Sequence, residues 1–129
     1  MKRTIALAYS GRPEEAIPLI QKVIRLNPFG SVAYFYFLSE AYRLAGRFDE
    51  AVQKARKAVE WEPKNQFTHL SLASACILAG REEEARAEAA EVLRINPKFS
   101  LDNYAKIVPY KDQSETDKVI NALRKAGLK

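Results

Sequence analysis

Apolar side chains return along this chain at helical rather than strand spacing. Phe35, Leu38, Tyr42 and Leu44 recur at helical spacing, and after a short polar break Ala51, Ala55 and Ala58 continue the period. The second set consists of small residues, as expected where two helices must approach closely. Leu72, Ala73 and Cys76, followed by Ala85, Ala89 and Val92, repeat the arrangement. The pattern predicts an all-α protein built from helix pairs.

Two phrases mark the corners between helices. Gly11-Arg12-Pro13-Glu14-Glu15-Ala16, Gly46-Arg47-Phe48-Asp49-Glu50-Ala51 and Gly80-Arg81-Glu82-Glu83-Glu84-Ala85 are versions of one motif. Each second helix closes on proline, in Ile24-Arg25-Leu26-Asn27-Pro28, Val59-Glu60-Trp61-Glu62-Pro63 and Leu93-Arg94-Ile95-Asn96-Pro97. The glycines can take the left-handed conformation that ends a helix, Pro13 suits a first helical turn, and the acidic residues after each corner complement the helix dipole. The prolines cannot continue a helix and so mark where each second helix stops. The spacing is 35 residues from 11 to 46, 16 to 51 and 28 to 63, and 34 from 46 to 80, 51 to 85 and 63 to 97. One residue is therefore added in the first connection, near Phe29 to Ser31.

A repeat of this length, with a large residue, Leu, a small residue, an aromatic, Gly, Ala, Ala and Pro in order, resembles the tetratricopeptide repeat, and residues 32–65 match it best. His69 departs from the family pattern where a large aromatic is usual, and Cys76 where tyrosine is usual. The resemblance implies a right-handed superhelical solenoid of antiparallel helix pairs with a C-terminal capping helix. Residues 1–129 form one domain in this reading, with units at about 1–30 (truncated), 31–64 and 65–98 and an atypical terminal unit at 99–129.

The two ends differ from the middle. Only Met1 to Tyr9 precede the first corner, so either the chain is part of a longer protein or Ile5, Leu7 and Tyr9 form an apolar edge that a second copy covers. After Pro97 the pattern predicts a helix over Leu101–Val108, a break at Pro109-Tyr110-Lys111-Asp112, and a last helix opened by a Ser114–Asp117 capping box and ended at Gly127. That helix carries Val119, Ile120 and Leu123 on one face and Lys118, Asn121, Arg124 and Lys125 on the other. Residues 99–128 also resemble the C-terminal tail of bacterial adenylate/guanylate cyclases, although no part of a cyclase catalytic domain is present.

In such a superhelix the first helix of each pair lines the inner groove. Tyr36, Leu70 and Tyr104 are equivalent across three units, Glu40, Ser74 and Val108 follow one turn on, and Arg43 and Ile77 complete the stripe beside Leu44 and Leu78. Two readings follow. The stripe is a site where a peptide or helix docks its apolar side chains while Arg43 pairs with a carboxylate, or its residues pack against neighbouring helices. The Lys and Asn carboxylate clamp that some family members use for chaperone tails is absent, because the comparable positions hold Met1, Ile5 and Phe37.

Composition narrows the function. Of 129 residues, 47% are hydrophobic and 29% charged, which suits a folded soluble domain, and the apolar runs are too short to span a bilayer. The expected location is cytoplasmic. The net charge of +5 is spread along the chain among glutamates, so nucleic acid is a poor candidate partner. A single Cys76 and a single His69 supply neither a disulfide nor a zinc site, and no phosphate loop, paired-carboxylate site or catalytic triad is recognisable. His69 and Cys76 read as packing residues, the Glu82–Glu84 run as dipole-complementing charge, and Trp61 as an inter-repeat packing residue. No metal, cofactor or catalytic residue is expected. The expected activity is protein interaction, with assembly of like copies as the alternative.

Overall fold

The computed structural model describes residue 6 and residues 11–27, 30–108, 110 and 112–129. Met1, Ile5, Leu7, Tyr9, Pro28, Phe29, Pro109 and Lys111, invoked above, lie outside them. The helices are α1 (Pro13–Leu26), α2 (Ala33–Leu44), α3 (Phe48–Trp61), α4 (Gln66–Leu78), α5 (Glu82–Ile95), α6 (Leu101–Ala105) and α7 (Gln113–Lys125).

The corners form for the reasons their residues suggest. Gly46 and Gly80 take φ of +78° and +80°, and each leads a paired turn closing the preceding helix. Arg47 N–H donates to Tyr42 C=O at 2.8 Å and Gly46 N–H to Arg43 C=O at 3.0 Å; the bonds from Arg81 to Cys76 and Gly80 to Ile77 reproduce them at 2.7 and 3.1 Å. Pro13 sits in the first turn of α1, and Glu14, Glu15, Asp49, Glu50 and Glu82–Glu84 occupy the first turns of α1, α3 and α5.

Alanine lets the helices of a pair close together. Ala16, Ala51, Ala55, Ala85 and Ala89 of the second helices share one buried cluster with Leu38, Ala41, Leu72, Ala73 and Cys76 of the first, and Ala58 is buried as well. Helix α4 is the most enclosed element, with residues 68–76 all buried, because α3, α5 and α7 all pack on it. Polar ties also join helices to one another. Ser39 Oγ donates to Ala51 C=O at 2.7 Å, Gln21 Nε2 to Tyr42 Oη at 2.7 Å, and Arg56 makes a two-point pair with Glu84. Trp61 stacks edge-on against Phe35 of its own helix pair, with ring centroids 5.5 Å apart, a contact within the unit where packing between repeats was expected.

The last unit departs from the repeat. Helix α6 stops at Ala105 rather than Val108, in tight turns from Lys106 to Asn103 and from Ile107 to Tyr104. Helix α7 begins at Gln113, so its cap falls two residues before the expected Ser114. Asp112 is the N-cap, its carboxylate accepting the Ser114 N–H at 2.9 Å, while Asp117 takes a bond from Gln113. The Ser114 backbone holds the Asp112 carboxyl below the usual range. Two ties return the end of the chain to the core. Leu128 is buried, and Leu101 N–H donates to Lys129 C=O at 2.9 Å.

Candidate functional site

Helical spacing puts Glu40 and Arg43 on one face of α2, three residues apart, and both side chains are almost wholly buried, at 4% and 2% exposed. Arg43 Nη2 pairs with Glu40 Oε2. An ion pair withdrawn from water is tolerable only when its remaining groups are also hydrogen-bonded. Tyr110 supplies that bonding from the far end of the chain. Its hydroxyl donates to Glu40 Oε2 at 2.8 Å and accepts from Arg43 Nη2, and the guanidinium carbon stands 5.1 Å from its ring centroid. Burial opposes the charge on Arg43, but Glu40 and the neighbouring phenols outweigh it and hold the guanidinium protonated above its ordinary range. Burial, and then Glu40, push the Tyr110 phenol up, so it stays a neutral donor. Among the described residues, the Arg43 Nε–H is buried without an acceptor.

Of the other expected groove residues, the two tyrosines lie near this cluster. Tyr36 is half-buried and contributes to the electrostatic surroundings of Tyr110, as Tyr104 does to those of Arg43. Leu70 and Ser74 belong to the core, and Ser74 Oγ donates to Ser71 C=O at 3.1 Å. Ile77 and Leu78 floor a cavity of about 300 Å³ rimmed by Lys118, Asn121 and Lys125 of α7. The positive charge expected to meet a ligand carboxylate thus has its carboxylate inside the chain.

Two further clefts open at the N-terminal ends of the inner helices. One, of about 350 Å³, is walled by Val32, Tyr36, Asn65, Phe67 and Thr68; the other, of about 220 Å³, by Phe67, Phe99, Asn103, Tyr104 and Ile107. Phe67 stands between them, 40% exposed, and Ile107 is exposed as well. Sequence reasoning passed over Phe67 although it lies one turn before Leu70 on the predicted stripe. It also passed over Tyr110, which has no equivalent in the repeat and so carries no periodic signal.

The residues that invite a chemical reading are all occupied structurally. Cys76 is wholly buried, and that burial, aided by Glu84, pushes its thiol up to about 12. His69 is buried with Nε2 2.6 Å from Pro63 C=O and Nδ1 bonded to Glu88, tying the turn before α4 to α5. It is a polar staple rather than a substitute for an aromatic ring. Glu84 of the acidic run pairs with Arg56, which holds its carboxyl below the usual range.

Family models described as tetratricopeptide repeat match residues 2–66 and 42–107, each about half of the chain. The chain belongs to the tetratricopeptide repeat family. The TPR repeat-containing protein YpiA of Bacillus subtilis is 23% identical over 115 residues, which cover 89% of this chain and 27% of YpiA. The chain thus spans about a quarter of the length of that relative. Among solved structures, one titled "Crystal structure of MamA" matches with a TM-score of 0.65 and 20% identity, covering 90% of this chain and 67% of the other. A second, titled "MamA MSR-1 C2", gives 0.66 and 22%, covering 95% and 70%. These likenesses show the fold to be a TPR solenoid of helix pairs. No described helix is long and apolar enough to cross a membrane.

Proposed function

We propose that this TPR chain is a protein-interaction module whose inner face receives a peptide or helix from a partner. The observation that carries the reading is the pair of apolar clefts on either side of exposed Phe67, with Tyr36 and Tyr104, two repeats apart, in their walls. Aromatic side chains in partly desolvated clefts are where interface energy concentrates. Tyr36 and Tyr104 would touch the partner, Leu70, Ser74 and Ile77 would fix the floor and the inner helices, and Glu40 and Arg43 would order the centre. No cofactor or metal is needed for this role. The likeness of residues 99–128 to cyclase tails supports a place as the regulatory tail of a larger bacterial protein in the cytoplasm.

The test is selection of short random peptides against the protein, followed by binding to Phe67→Ser and Leu93→Ser variants. Binders that lose affinity for Phe67→Ser and keep it for Leu93→Ser, on α5, support the reading. Binders indifferent to Phe67 sink it. A second reading, assembly of like copies through the first unit, is favoured by Leu26 and Leu19 on α1, 70% and 44% exposed. Light scattering over a concentration series would find a wild-type dimer that Leu26→Glu dissolves; monomers throughout would remove that reading.

A further inference from the structure

The centre of the inner face already holds a side chain, and that side chain identifies what the site selects. We propose that Glu40 and Arg43 form a tyrosine-recognition site, closed by Tyr110 of the same chain and opened to an extended, tyrosine-bearing segment of a protein partner. This rests on the inner face being a docking surface and specifies the chemistry of what docks there.

The selection follows from the pair at the base of the site. Its two charges are out of water, so an occupant must satisfy the carboxylate and the guanidinium together. A phenol does this with one atom, donating to Glu40 and accepting from Arg43, while its ring lies against the guanidinium, and Tyr110 makes all three contacts. Phenylalanine would fill the space and leave the pair short of bonds. An acidic side chain would set a second carboxylate against Glu40, and a basic one a second cation against Arg43. A phosphotyrosine would bring a dianion beside Glu40 into a site too enclosed to hydrate it.

The present occupant is exchangeable. Tyr110 lies between the end of α6 at Ala105 and the start of α7 at Gln113, so it can leave without unwinding either helix. It is also an incomplete ligand, since the Arg43 Nε–H stays buried without an acceptor among the described residues. A partner segment that places a backbone carbonyl there satisfies one group more than Tyr110 does, and so offsets the advantage the tethered residue holds through its high local concentration.

The probe is a fluorescent peptide spanning residues 106–112, titrated by anisotropy into the full chain, wild type and Tyr110→Ala. Tyr110→Ala should bind it at least about tenfold more tightly than wild type, and peptides with phenylalanine or phosphotyrosine at the central position should bind at least about tenfold more weakly. Equal affinity for both proteins, no binding to either, or a phenylalanine peptide that binds as well overturns the proposal. Should Tyr110→Ala not fold, as judged by its thermal melt, Tyr110→Phe takes its place. That variant keeps the ring and should still bind the tyrosyl peptide more tightly than wild type; no difference would again be fatal. Library peptides that depend on Phe67 while the tyrosyl peptide fails would leave the docking surface standing and remove only the tyrosine site.

Discussion

Cys76 and the Glu40–Arg43 pair show how burial changes what a residue does. The thiol's ordinary value of 9.0 rises to about 12 in the fold, so the folded chain keeps a proton that the unfolded chain would release. Its contribution to stability is intact below the ordinary thiol value and declines as pH rises from there toward 12. Thermal midpoints measured across that alkaline window should fall more steeply for wild type than for Cys76→Ala, and parallel curves would refute this. At the ion pair, Arg43→Ala strands a carboxylate in the interior and should cost about 3–5 kcal/mol in urea denaturation. The double variant Glu40→Leu/Arg43→Met removes both charges and should cost much less. A double variant as unstable as the single one would show that the loss comes from packing rather than from an uncompensated charge.

At the scale of elements, the corners are where local chemistry is decisive. Gly80 holds φ of +80°, and an added Cβ there would meet nothing within 4 Å, so any penalty for alanine is purely conformational. Gly80→Ala should therefore destabilise by roughly 1–2 kcal/mol, the cost of a left-handed residue carrying a side chain, without changing the fold. A melt unchanged from wild type would contradict the left-handed turn. The corner motif and the terminal prolines predicted these boundaries because each acts through its own backbone. The short α6 was harder to see: Leu101–Val108 is apolar enough to be helical, yet its last residues serve the turn that carries the chain toward Tyr110. Asp112 caps α7 in place of Ser114 because its carboxylate meets the Ser114 N–H, a choice that spacing alone leaves open.

For the whole molecule, stability should be graded along the stack rather than uniform. In a repeat array each unit is supported by its neighbours, and α4 is packed against α2, α3, α5 and α7. Native-state hydrogen exchange should be slowest in α4, intermediate in α3 and α5, and fastest in α6, which spans only Leu101–Ala105. Exchange in α6 as slow as in α4 would mean that the last unit is part of one cooperative core. The exposed ion pairs, such as Arg12–Glu15 and Arg94–Glu91, should contribute little to this gradient, because water screens them.

The sequence by itself determined the helix pairs, their corners and the alanines between them. Each of these is written in local spacing, and a repeat states it three times. It also placed Glu40 and Arg43 on a common face. That they pair with each other, and that Tyr110 completes them across 70 and 67 residues, was decided by the tertiary structure. Such contacts depend on where the chain turns back, and a break in a repeat has no periodicity from which its return path could be read. His69 follows the same logic: its partners, Glu88 and Pro63, come together only once α4 and α5 are packed.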